Sequence, residues 1–333
     1  MRVWLSGGTG FVGSHVAALL RDEGHEVVAL ARPTSRTSAL EAIGAEVAVG
    51  DVTDLGSVVA SMRGCDGAFH VAAWYEIGVS DRERMFAINV GGTRNVMEAV
   101  RATGVPKLVY CSTAAALGWH RPGELPDETH ENPVGLGSLY AESKYQAHRE
   151  VRRAAAEGLP VVTVMPGAIY GPGDPSMMGT LVEYVLRGWM KASLFDDSGF
   201  TFVHVDDVAR GLLLAFEKGS VGEEYVLGGE PASVREFIAR VSRLAGRRPP
   251  RFTIPTAVLK AVASISGPFA RAAGFGPRIL AEGVATMDGR SWAYTHDKAE
   301  RELGFVSRSL EEGLPPTIRW FREELAARSR RTS

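Results

Sequence analysis

Tyr140 and Lys144 are the pair of residues in this chain whose types and spacing most directly suggest proton chemistry. They stand four residues apart in the segment YAESKYQ, so in a helix their side chains lie on one face. An ammonium group beside a phenol favours the ionised phenol, which helps a tyrosine exchange protons at neutral pH. An ordinary amphipathic turn, with a half-buried tyrosine and a snorkelling lysine, gives the same pattern. The pair alone therefore does not distinguish the two interpretations, and the rest of the chain has to decide between them.

A glycine-rich turn in LSGGTGFVGSHV places Gly7, Gly10 and Gly13 at a three-residue period. Such glycines allow a tight turn, a close approach of a pyrophosphate to the backbone, and close packing of the next helix on the strand. The N-terminus of that helix then faces the phosphates. Because the turn lies between a β-rich segment and a helical one, it predicts a dinucleotide site.

The end of the second β-rich segment, VVALARPTSR, bears on which dinucleotide is bound. An acidic residue there bonds the adenosine ribose and selects NAD, whereas an arginine pairs with the 2′-phosphate of NADP. This chain has Ala31 in place of the carboxylate, followed by Arg32. We therefore expect NADP(H) rather than NAD(H), with Arg36 as either a second phosphate contact or a solvated loop residue.

The first half of the chain alternates short β-rich segments with segments of helical spacing. The β-rich segments are RVWLS, EVVALA, AEVAV, GAFHVA, KLVYCS and PVVTVM, and the helical ones span 11 to 23, 36 to 43, 54 to 62, 82 to 103 and 138 to 157. Apolar strands in strict alternation with helices predict a parallel sheet covered on both faces. The predicted fold class is α/β, a Rossmann-type doubly wound parallel sheet with a smaller C-terminal α+β substrate lobe.

The pattern changes after VMPGAIYGPGDP, where proline and glycine become frequent and loops lengthen. The predicted domains are an NADP-binding domain of residues 1–165 to which 200–218 return, a substrate lobe of residues 166–199 and 219–325, and a flexible tail, 326–333. Asp206 or Asp207 is expected to be the N-cap of the returning helix, a more common role for such an aspartate than catalysis.

Composition argues against several classes of function. The 333 residues carry a net charge of −2 and no basic block, which is unlike a nucleic-acid binder. Two cysteines, Cys65 and Cys111, provide neither a disulfide framework nor a metal cluster, which fits a reducing cytoplasm. The first apolar run is too short for a signal peptide, and charges, glycine and proline interrupt the apolar segment 257–276. We expect a cytoplasmic protein without a metal ion or a membrane-spanning helix.

The motifs SGGTGFVG, GDVTD, FHVAA, NVGGTRNVMEA, YCSTAAALG, YAESK, VMPGAIYGPG and FVHVDDVA occur in this order. Together they resemble the extended short-chain dehydrogenase/reductase family, in the NAD-dependent epimerase/dehydratase superfamily. The resemblance covers nearly the whole chain and is nearest to the branch of dihydroflavonol-reductase-like enzymes and hopanoid-associated sugar epimerases. It implies these cofactor contacts: Gly7, Gly10, Phe11 and Val12 at the pyrophosphate, Asp51 and Val52 at the adenine, Ala72 and Ala73 on the ribose side, Lys144 at the nicotinamide ribose, and Pro166 at the nicotinamide.

The resemblance also implies a proton donor. Tyr140 would give a proton to a substrate carbonyl oxygen as hydride arrives from NADPH. Lys144 and the positively charged nicotinamide ring would together lower the pKa of this phenol from about 10 towards about 7. Counting back from the last glycine of YCSTAAALG puts the catalytic hydroxyl at Thr113, with Ser112 as the alternative.

Two further properties follow from the resemblance. Asn89 matches an asparagine of the family, for which we expect a mostly structural role in packing and in bonding backbone between strands. Family members often form dimers through a four-helix bundle, which here would use the segments 82–103 and 138–157. We therefore expect a homodimer.

Three departures from other family members favour a net reductase. Ala114 and Ala115 follow the threonine, where sugar-nucleotide dehydratases have an Asp-Glu pair. Phe200 stands where many sugar-nucleotide epimerases have a phosphate-binding arginine, unless Arg290 or Arg235 compensates. Epimerases that recycle their cofactor usually retain NAD, whereas the end of the second strand indicates NADP.

The sequence therefore predicts an NADP(H)-dependent oxidoreductase that reduces a ketone or aldehyde, flavonoid-like or steroid-like, to an alcohol. The alternative is a sugar or sugar-nucleotide epimerase that retains NAD, and a third hypothesis is a non-catalytic dinucleotide-binding regulator. Bulky residues in loops near the expected cleft would line a substrate pocket or be ordinary core and surface residues: Trp74, Tyr75, Trp119, His120, Met177 and Trp189.

Overall fold

A seven-stranded parallel sheet lies at the centre of the computed structural model, which describes residues 1 to 196, 198 to 265 and 277 to 332. Its strands are β1 (Arg2–Ser6), β2 (Glu26–Ala31), β3 (Glu46–Val49), β4 (Gly67–His70), β5 (Leu108–Cys111), β6 (Val161–Pro166) and β10 (Glu224–Leu227). Their order is β10-β6-β5-β4-β1-β2-β3. The direction of winding reverses between β1 and β4, which opens the crevice where doubly wound sheets bind ligands. The predicted fold class is confirmed.

Helices cover both faces of this sheet. One face carries α1 (Phe11–Asp22), the short α2 (Ser38–Ala42) and α8 (Val205–Lys218), and the other carries α3 (Leu55–Met62), α5 (Gly92–Thr103) and α6 (Leu139–Ala156). Successive residues of β1 point to opposite faces, so Val3 and Leu5 join one apolar core and Trp4 joins the other. All three side chains are fully buried.

The helical segment predicted at 82–103 consists of three parts. It begins with α4 (Arg82–Phe86), passes through a π-helical stretch, Ala87–Gly91, and continues as α5. Stretches of π-helix are often found at functional sites. This one contains Asn89, which is buried.

A three-stranded sheet organises the smaller lobe. The order is β11 (Glu230–Ser233), β9 (Gly199–His204), β7 (Ala168–Tyr170), and a separate pair joins β8 (Ala192–Ser193) to β12 (Phe252–Thr253). The lobe's helices are α7 (Met177–Arg187), α9 (Val234–Leu244), α10 (Thr256–Ile265), α11 (Pro277–Met287) and α13 (Leu310–Thr332), while α12 (Asp297–Leu303) packs on α8. In its core the rings of Phe202 and Phe237 stack with centroids 4.5 Å apart.

Some elements differ from the expected domain boundaries. Of the range 200–218, only α8 packs on the large sheet, because β9 belongs to the three-stranded one. Strand β10, within the range 219–325, pairs in parallel with β6, and α8 lies on the crossover that such a pair requires. The last helix runs to Thr332, so most of the predicted tail continues α13.

The predicted N-cap of α8 was wrong. His204 is the cap, and its Nδ1 accepts the N–H of Asp206 at 3.3 Å. Because β9 runs into α8 without a loop, both aspartates fall in the first turn, where the helix dipole favours them. Asp206 contacts His15 at 2.6 Å, and Asp207 accepts from Arg308 at 2.7 Å.

No described helix is long and apolar enough to cross a membrane. Part of the apolar segment 257–276 forms α10, and residues 266–276 lie outside the described part of the chain. Within the described ranges, no group of His, Cys, Asp and Glu side chains is arranged to hold a metal ion.

Candidate active site

The turn between β1 and α1 is packed so tightly that it excludes side chains. Gly7 has a φ of +77°, and a Cβ there would lie 2.7 Å from the backbone nitrogen of Ala72. A Cβ on Gly13 would lie 2.0 Å from the carbonyl oxygen of Gly7, so α1 packs directly against the turn. Gly10 is the N-cap and provides no side-chain cap, which leaves first-turn N–H groups of α1 available to a ligand. This geometry fits a pyrophosphate.

One cavity of about 690 Å³ extends from this turn to α6. All residues predicted for cofactor binding or catalysis line it: Gly7, Gly10, Phe11, Val12, Arg32, Asp51, Val52, Ala72, Ala73, Thr113, Tyr140, Lys144 and Pro166. Most of them follow the carboxyl ends of neighbouring parallel strands, which meet at the same edge of the sheet. The fold therefore brings together residues that are far apart in the sequence.

Asp51 and Arg32 are the two charged residues predicted at the adenosine end of the cavity, and their side chains differ in their hydrogen-bond partners. Asp51 accepts from the N–H of Thr53 at 2.9 Å and from its hydroxyl at 2.8 Å, which closes a turn. Arg32 follows β2, is exposed, and has no hydrogen-bond or ion-pair partner for its guanidinium among the described residues. Arg36 does not line the cavity. Arg32 is thus the cation available to a phosphate there.

Helix α6 places Tyr140 at the cavity. Ser138 caps the helix by accepting the N–H of Ala141 at 3.1 Å, so Tyr140 lies in the first turn. Its ring meets the ring of Tyr75 edge to face, with centroids 4.8 Å apart. The phenol therefore lies between α6 and the loop that follows β4.

Lys144 lies one turn further along α6 and is 2% exposed. Its ammonium group donates to the hydroxyl of Tyr110 at 3.1 Å and to the carbonyl of Cys111 at 2.9 Å. Burial alone would lower the pKa of Lys144, but Tyr110, Tyr140 and Cys111 together outweigh burial and raise it. Lys144 is therefore a fixed cation at neutral pH.

The protein groups alone do not lower the pKa of Tyr140. Burial raises it to about 12, although the charge of Lys144 acts in the opposite direction. The expected value of about 7, which included the nicotinamide ring, is therefore not reached by Lys144 by itself. A neutral phenol is the form that donates a proton, so the structure holds Tyr140 as an acid at neutral pH.

The two candidate hydroxyl groups differ in their partners. Thr113 accepts the N–H of Ala115 at 3.3 Å and lines the cavity, which leaves its own proton free for a ligand. Ser112 is 5% exposed, and its Oγ lies 3.1 Å from Nδ1 of His148. The geometry is in line with the preference for Thr113, whose role stays a prediction.

A chain of uncharged hydrogen bonds runs beneath the site, and we call it the neutral network. Its members, all buried, are Ser6, His70, Thr93, Asn89 and Ser143. Nδ1 of His70 lies 2.8 Å from Ser6 Oγ, and Nε2 lies 3.1 Å from Thr93 Oγ1. Thr93 donates to the carbonyl of Asn89 at 2.7 Å. The Asn89 side chain donates to Ser143 at 2.9 Å, and Ser143 donates to the carbonyl of Tyr140 at 2.8 Å.

Asn89 also joins this network to the loop after β4. Its Oδ1 accepts the N–H of Trp74 at 2.7 Å, and its Nδ2 donates to the Trp74 carbonyl at 3.1 Å. It bonds loop backbone rather than backbone between strands. No role for Ser143 or His70 was apparent from the sequence. Part of the network could have been found from the spacing of Asn89 and Thr93, which are four residues apart and thus share a helix face.

A second chain of contacts, the charged network, consists of Ser112, His148, Glu224 and Arg152. Nε2 of His148 lies 3.2 Å from Glu224, away from the ideal hydrogen-bond direction, and Arg152 donates to both Glu224 oxygens, at 2.9 and 2.6 Å. Burial alone would raise the pKa of Glu224, but the neighbouring His148 and the bonds from Arg152 lower it to about 2. Sequence analysis missed this network because Glu224 is 72 residues from Arg152 and arrives on β10.

Beyond Tyr140 the cavity wall is mainly apolar. Of the predicted pocket residues, Trp74, Tyr75 and Met177 line it, whereas Trp119, His120 and Trp189 do not. The indole N–H of Trp119 donates to the Val134 carbonyl at 2.7 Å, and Trp189 is a surface residue, 59% exposed. Sequence analysis missed wall residues on α7, on α11 and in the segment after α11: Met178, Glu282, Thr286, Met287 and Trp292.

Phe200 lies in this wall, and the two proposed substitutes for an arginine there do not. Arg290 donates to the Gly135 carbonyl at 2.5 Å, and Arg235 pairs with Asp196 at 3.4 Å. The arginine that does line this part of the cavity, Arg84, packs over the ring of Trp74 at 5.2 Å.

Comparisons with known proteins show which family the chain belongs to. Residues 3–228 match the model of the NAD dependent epimerase/dehydratase family. The "Putative dihydroflavonol 4-reductase" of Synechocystis sp. is 34% identical over 96% of this chain and 94% of its own. The crystal structure of gox2253 has a TM-score of 0.85 and 39% identity, and covers 97% of this chain and 98% of its own.

A further solved structure, the UDP-glucose 4-epimerase of Thermus thermophilus in complex with NAD, has a TM-score of 0.77 and 27% identity. It covers 97% of this chain and 99% of its own. The alignments cover almost the full length of this chain and of each of these related proteins. The chain therefore belongs to the NAD dependent epimerase/dehydratase family, within the extended short-chain dehydrogenases/reductases.

Proposed function

We propose that the protein is an NADP(H)-dependent oxidoreductase that reduces an apolar ketone or aldehyde, flavonoid-like or steroid-like in size, to an alcohol. The observation that carries the proposal is the single cavity that joins the glycine-rich turn to Tyr140 and continues between apolar side chains. A dinucleotide-binding turn and a proton donor in one apolar cavity suit hydride transfer to a carbonyl group.

The chain's own residues have distinct parts in the proposed reaction. When bound, the dinucleotide supplies the hydride. The Tyr140 hydroxyl donates a proton to the substrate oxygen, and the free proton of Thr113 bonds and orients the same oxygen. The charge of Lys144 favours the phenolate that remains on Tyr140. Gly7, Gly10, Phe11, Val12, Asp51, Val52, Ala72, Ala73, Lys144 and Pro166 would hold the cofactor.

Arg32 supports the choice of NADP(H). Its unpartnered guanidinium follows Ala31, where a carboxylate would select NAD. Replacing Arg32 by alanine is expected to raise the KM for NADPH at least about tenfold, since charge-assisted hydrogen bonds of roughly 1.5–3 kcal/mol are lost. Arg36→Ala is the matched control, because Arg36 lies outside the cavity wall.

The apolar wall and the absence of an acidic pair after Thr113 support a simple reduction. Ala114 and Ala115 stand at the positions that carry the Asp-Glu pair in sugar-nucleotide dehydratases. Phe200 offers a ring instead of a guanidinium to any substrate at that wall. An apolar carbonyl compound fits such a surface better than a sugar nucleotide does.

The test is an assay of aryl ketones and aldehydes with NADPH and with NADH, followed by absorbance of the reduced cofactor. Tyr140→Phe is expected to lower kcat by at least about a hundredfold, as loss of a general acid does, without loss of NADPH binding. The control is Tyr145→Phe, the same change on the same helix, where the hydroxyl donates to Glu131 at 2.8 Å outside the cavity.

Two outcomes would contradict parts of this proposal. Full activity of Tyr140→Phe would remove Tyr140 as the proton donor. Use of NADH in preference to NADPH would overturn the assignment to Arg32.

A cofactor-retaining sugar or sugar-nucleotide epimerase is the alternative, and the resemblance to an epimerase solved with NAD supports it. It predicts that NAD co-purifies and that no net oxidation of NADPH occurs. Arg84 in the cavity wall is the arginine such a substrate would meet.

The proposal includes the assembly and location of the protein. We propose a homodimer through residues 82–103 and 138–157, a cytoplasmic location, and a division into a cofactor domain, which includes α8 and β10, and a substrate lobe. The mass in solution tests the dimer, since a monomer contradicts it.

A further inference from the structure

The carboxylate of Glu282, on α11, has one bonded oxygen and one without a partner. Oε2 accepts the N–H of Gly78 at 2.6 Å, which joins α11 to the loop after β4. Oε1 is buried and has no hydrogen-bond partner among the described residues. Glu282 lines the same cavity as Tyr140. A buried acceptor left without a donor costs roughly 1–3 kcal/mol, so its occurrence in a binding cavity points to a ligand group.

The surroundings of Glu282 indicate which group would supply the missing donor. Met287 and Trp292 lie in the same wall, together with Tyr75, whose ring meets that of Tyr140. Burial raises the pKa of Glu282, so low-polarity surroundings act on its carboxyl group. The described structure leaves Glu282 without a cationic partner.

We propose that Oε1 of Glu282 accepts a hydrogen bond from a hydroxyl group of the substrate, remote from the carbonyl group that Tyr140 protonates. This deepens the proposed reductase, on which it rests, by restricting the substrate to hydroxylated apolar ketones or aldehydes. A site built to accept from a hydroxyl discriminates strongly against analogues without it, because the buried acceptor is then left unpaired.

A neutral hydroxyl fits the cavity better than an ammonium group. Arg32, Arg84 and Lys144 place three positive charges in its wall against the two carboxylates of Asp51 and Glu282, and this excess disfavours a cationic substrate. The apolar neighbours of Glu282 would also make desolvation of a charged group expensive.

The probes are methyl ketones joined to a phenyl or a biphenyl ring, each with hydrogen, hydroxyl, methoxy or aminomethyl at the distal para position. Two ring lengths sample two distances between the carbonyl group and the donor. Assays with NADPH give kcat/KM for each probe, and calorimetry with the protein and NADP⁺ gives binding without turnover. Glu282→Gln keeps an oxygen for the N–H of Gly78 and leaves an amide, rather than a second carboxylate oxygen, to face the ligand.

For one ring length, the wild type is expected to prefer the hydroxyl probe over the methoxy probe at least about tenfold, and Glu282→Gln is expected to remove most of this preference through KM. The methoxy probe should be affected little. Asp288→Asn is the control, since Asp288 lies just beyond α11 and pairs with Lys260. Equal melting temperatures would show that the variants are folded.

The proposal is overturned if the hydroxyl-to-methoxy ratio is the same in Glu282→Gln and wild type at both ring lengths. A preference for the aminomethyl probe that Glu282→Gln abolishes would also overturn it, in favour of a cationic substrate. If no probe is reduced but the hydroxyl probe binds selectively through Glu282, then the reductase assignment fails and the Glu282 site stands.

Discussion

Two networks hold the helix that carries Tyr140 and Lys144, and they differ in charge. The neutral network reaches α6 through Asn89 and Ser143. The charged network reaches it through His148 and Arg152. The neutral network positions α6 without charged groups, and the charged network derives its strength from ionised groups.

The direction of donation can be assigned for the hydrogen bonds of His70 in the neutral network. Because Thr93 gives its proton to the Asn89 carbonyl, it accepts from Nε2 of His70. Nδ1 of His70 is then left to accept from Ser6. Burial, with a smaller effect of the Lys144 charge, lowers the pKa of His70 to about 3, so the ring stays neutral. A network without charge can therefore lie beside a cofactor crevice without responding to pH.

The charged network ties α6 to β10 at the edge of the sheet. The side chain of Glu224 is 15% exposed, and that of Arg152 is 33% exposed. Burial weakens solvent screening of the pair, so its attraction and the cost of breaking it are both larger than at the surface. Helix α6 therefore has an uncharged support near the glycine-rich turn and a stronger, ionisation-dependent support behind Ser112.

Removal of the carboxylate from the charged network should have the largest effect on stability. Glu224→Leu leaves Arg152 and His148 without their anion and is expected to cost about 3 kcal/mol, as breaking a buried ion pair does. Urea denaturation measures it. Glu223→Leu is the control, since Glu223 is half exposed and pairs with Lys298 at 2.7 Å, and a loss below about 1 kcal/mol is expected there. Equal losses in the two variants would mean that the charged network contributes no more than a surface pair.

Removal of Asn89 should have a smaller effect on stability but a clear one on activity. Asn89→Leu leaves the N–H and carbonyl of Trp74 without a partner and removes the donor to the Ser143 oxygen, at a cost on the order of 2 kcal/mol. Because these bonds position the cavity loop and the first turn of α6, kcat/KM for carbonyl reduction is expected to fall about tenfold or more. The control Asn95→Leu removes a single bond to the Val52 carbonyl. If kcat/KM falls equally in both variants, the neutral network does not position the site.

Much of the fold could be predicted because it depends on local pattern. Segments such as RVWLS and EVVALA are apolar apart from residues at their ends, and the parallel sheet buries both of their faces. The glycine turn could also be predicted, since its three-residue period lies within one β-α unit, although Gly7 also packs against the distant backbone of Ala72. The cofactor half of the site thus follows from short-range sequence.

The substrate half could not be predicted in this way. Its wall is assembled from the loop after β4, α7, β9 and α11, so the loop position of Trp119 or Trp189 does not tell whether the side chain reaches the cavity. Long-range pairs such as Gly78 with Glu282, 204 residues apart, leave no periodic signal. The pKa of Tyr140 without the nicotinamide ring could not be predicted for the same reason, because it depends on Tyr75 and other distant neighbours.

The smallest of the expected effects is a difference in how the stability contributions of the two networks depend on pH. The pKa of Glu224 is about 2 in the folded protein and 4.5 as the ordinary value, so its stabilisation is present above about pH 4.5 and is lost as pH falls towards 2. The difference in unfolding free energy between wild type and Glu224→Leu should therefore shrink by about 1 kcal/mol between neutral pH and about pH 4. The difference between wild type and Asn89→Leu should stay constant over that range, because His70 stays neutral in both folded proteins and titrates equally in both unfolded chains. A constant difference for Glu224→Leu would show that its carboxylate is not held ionised by Arg152 and His148.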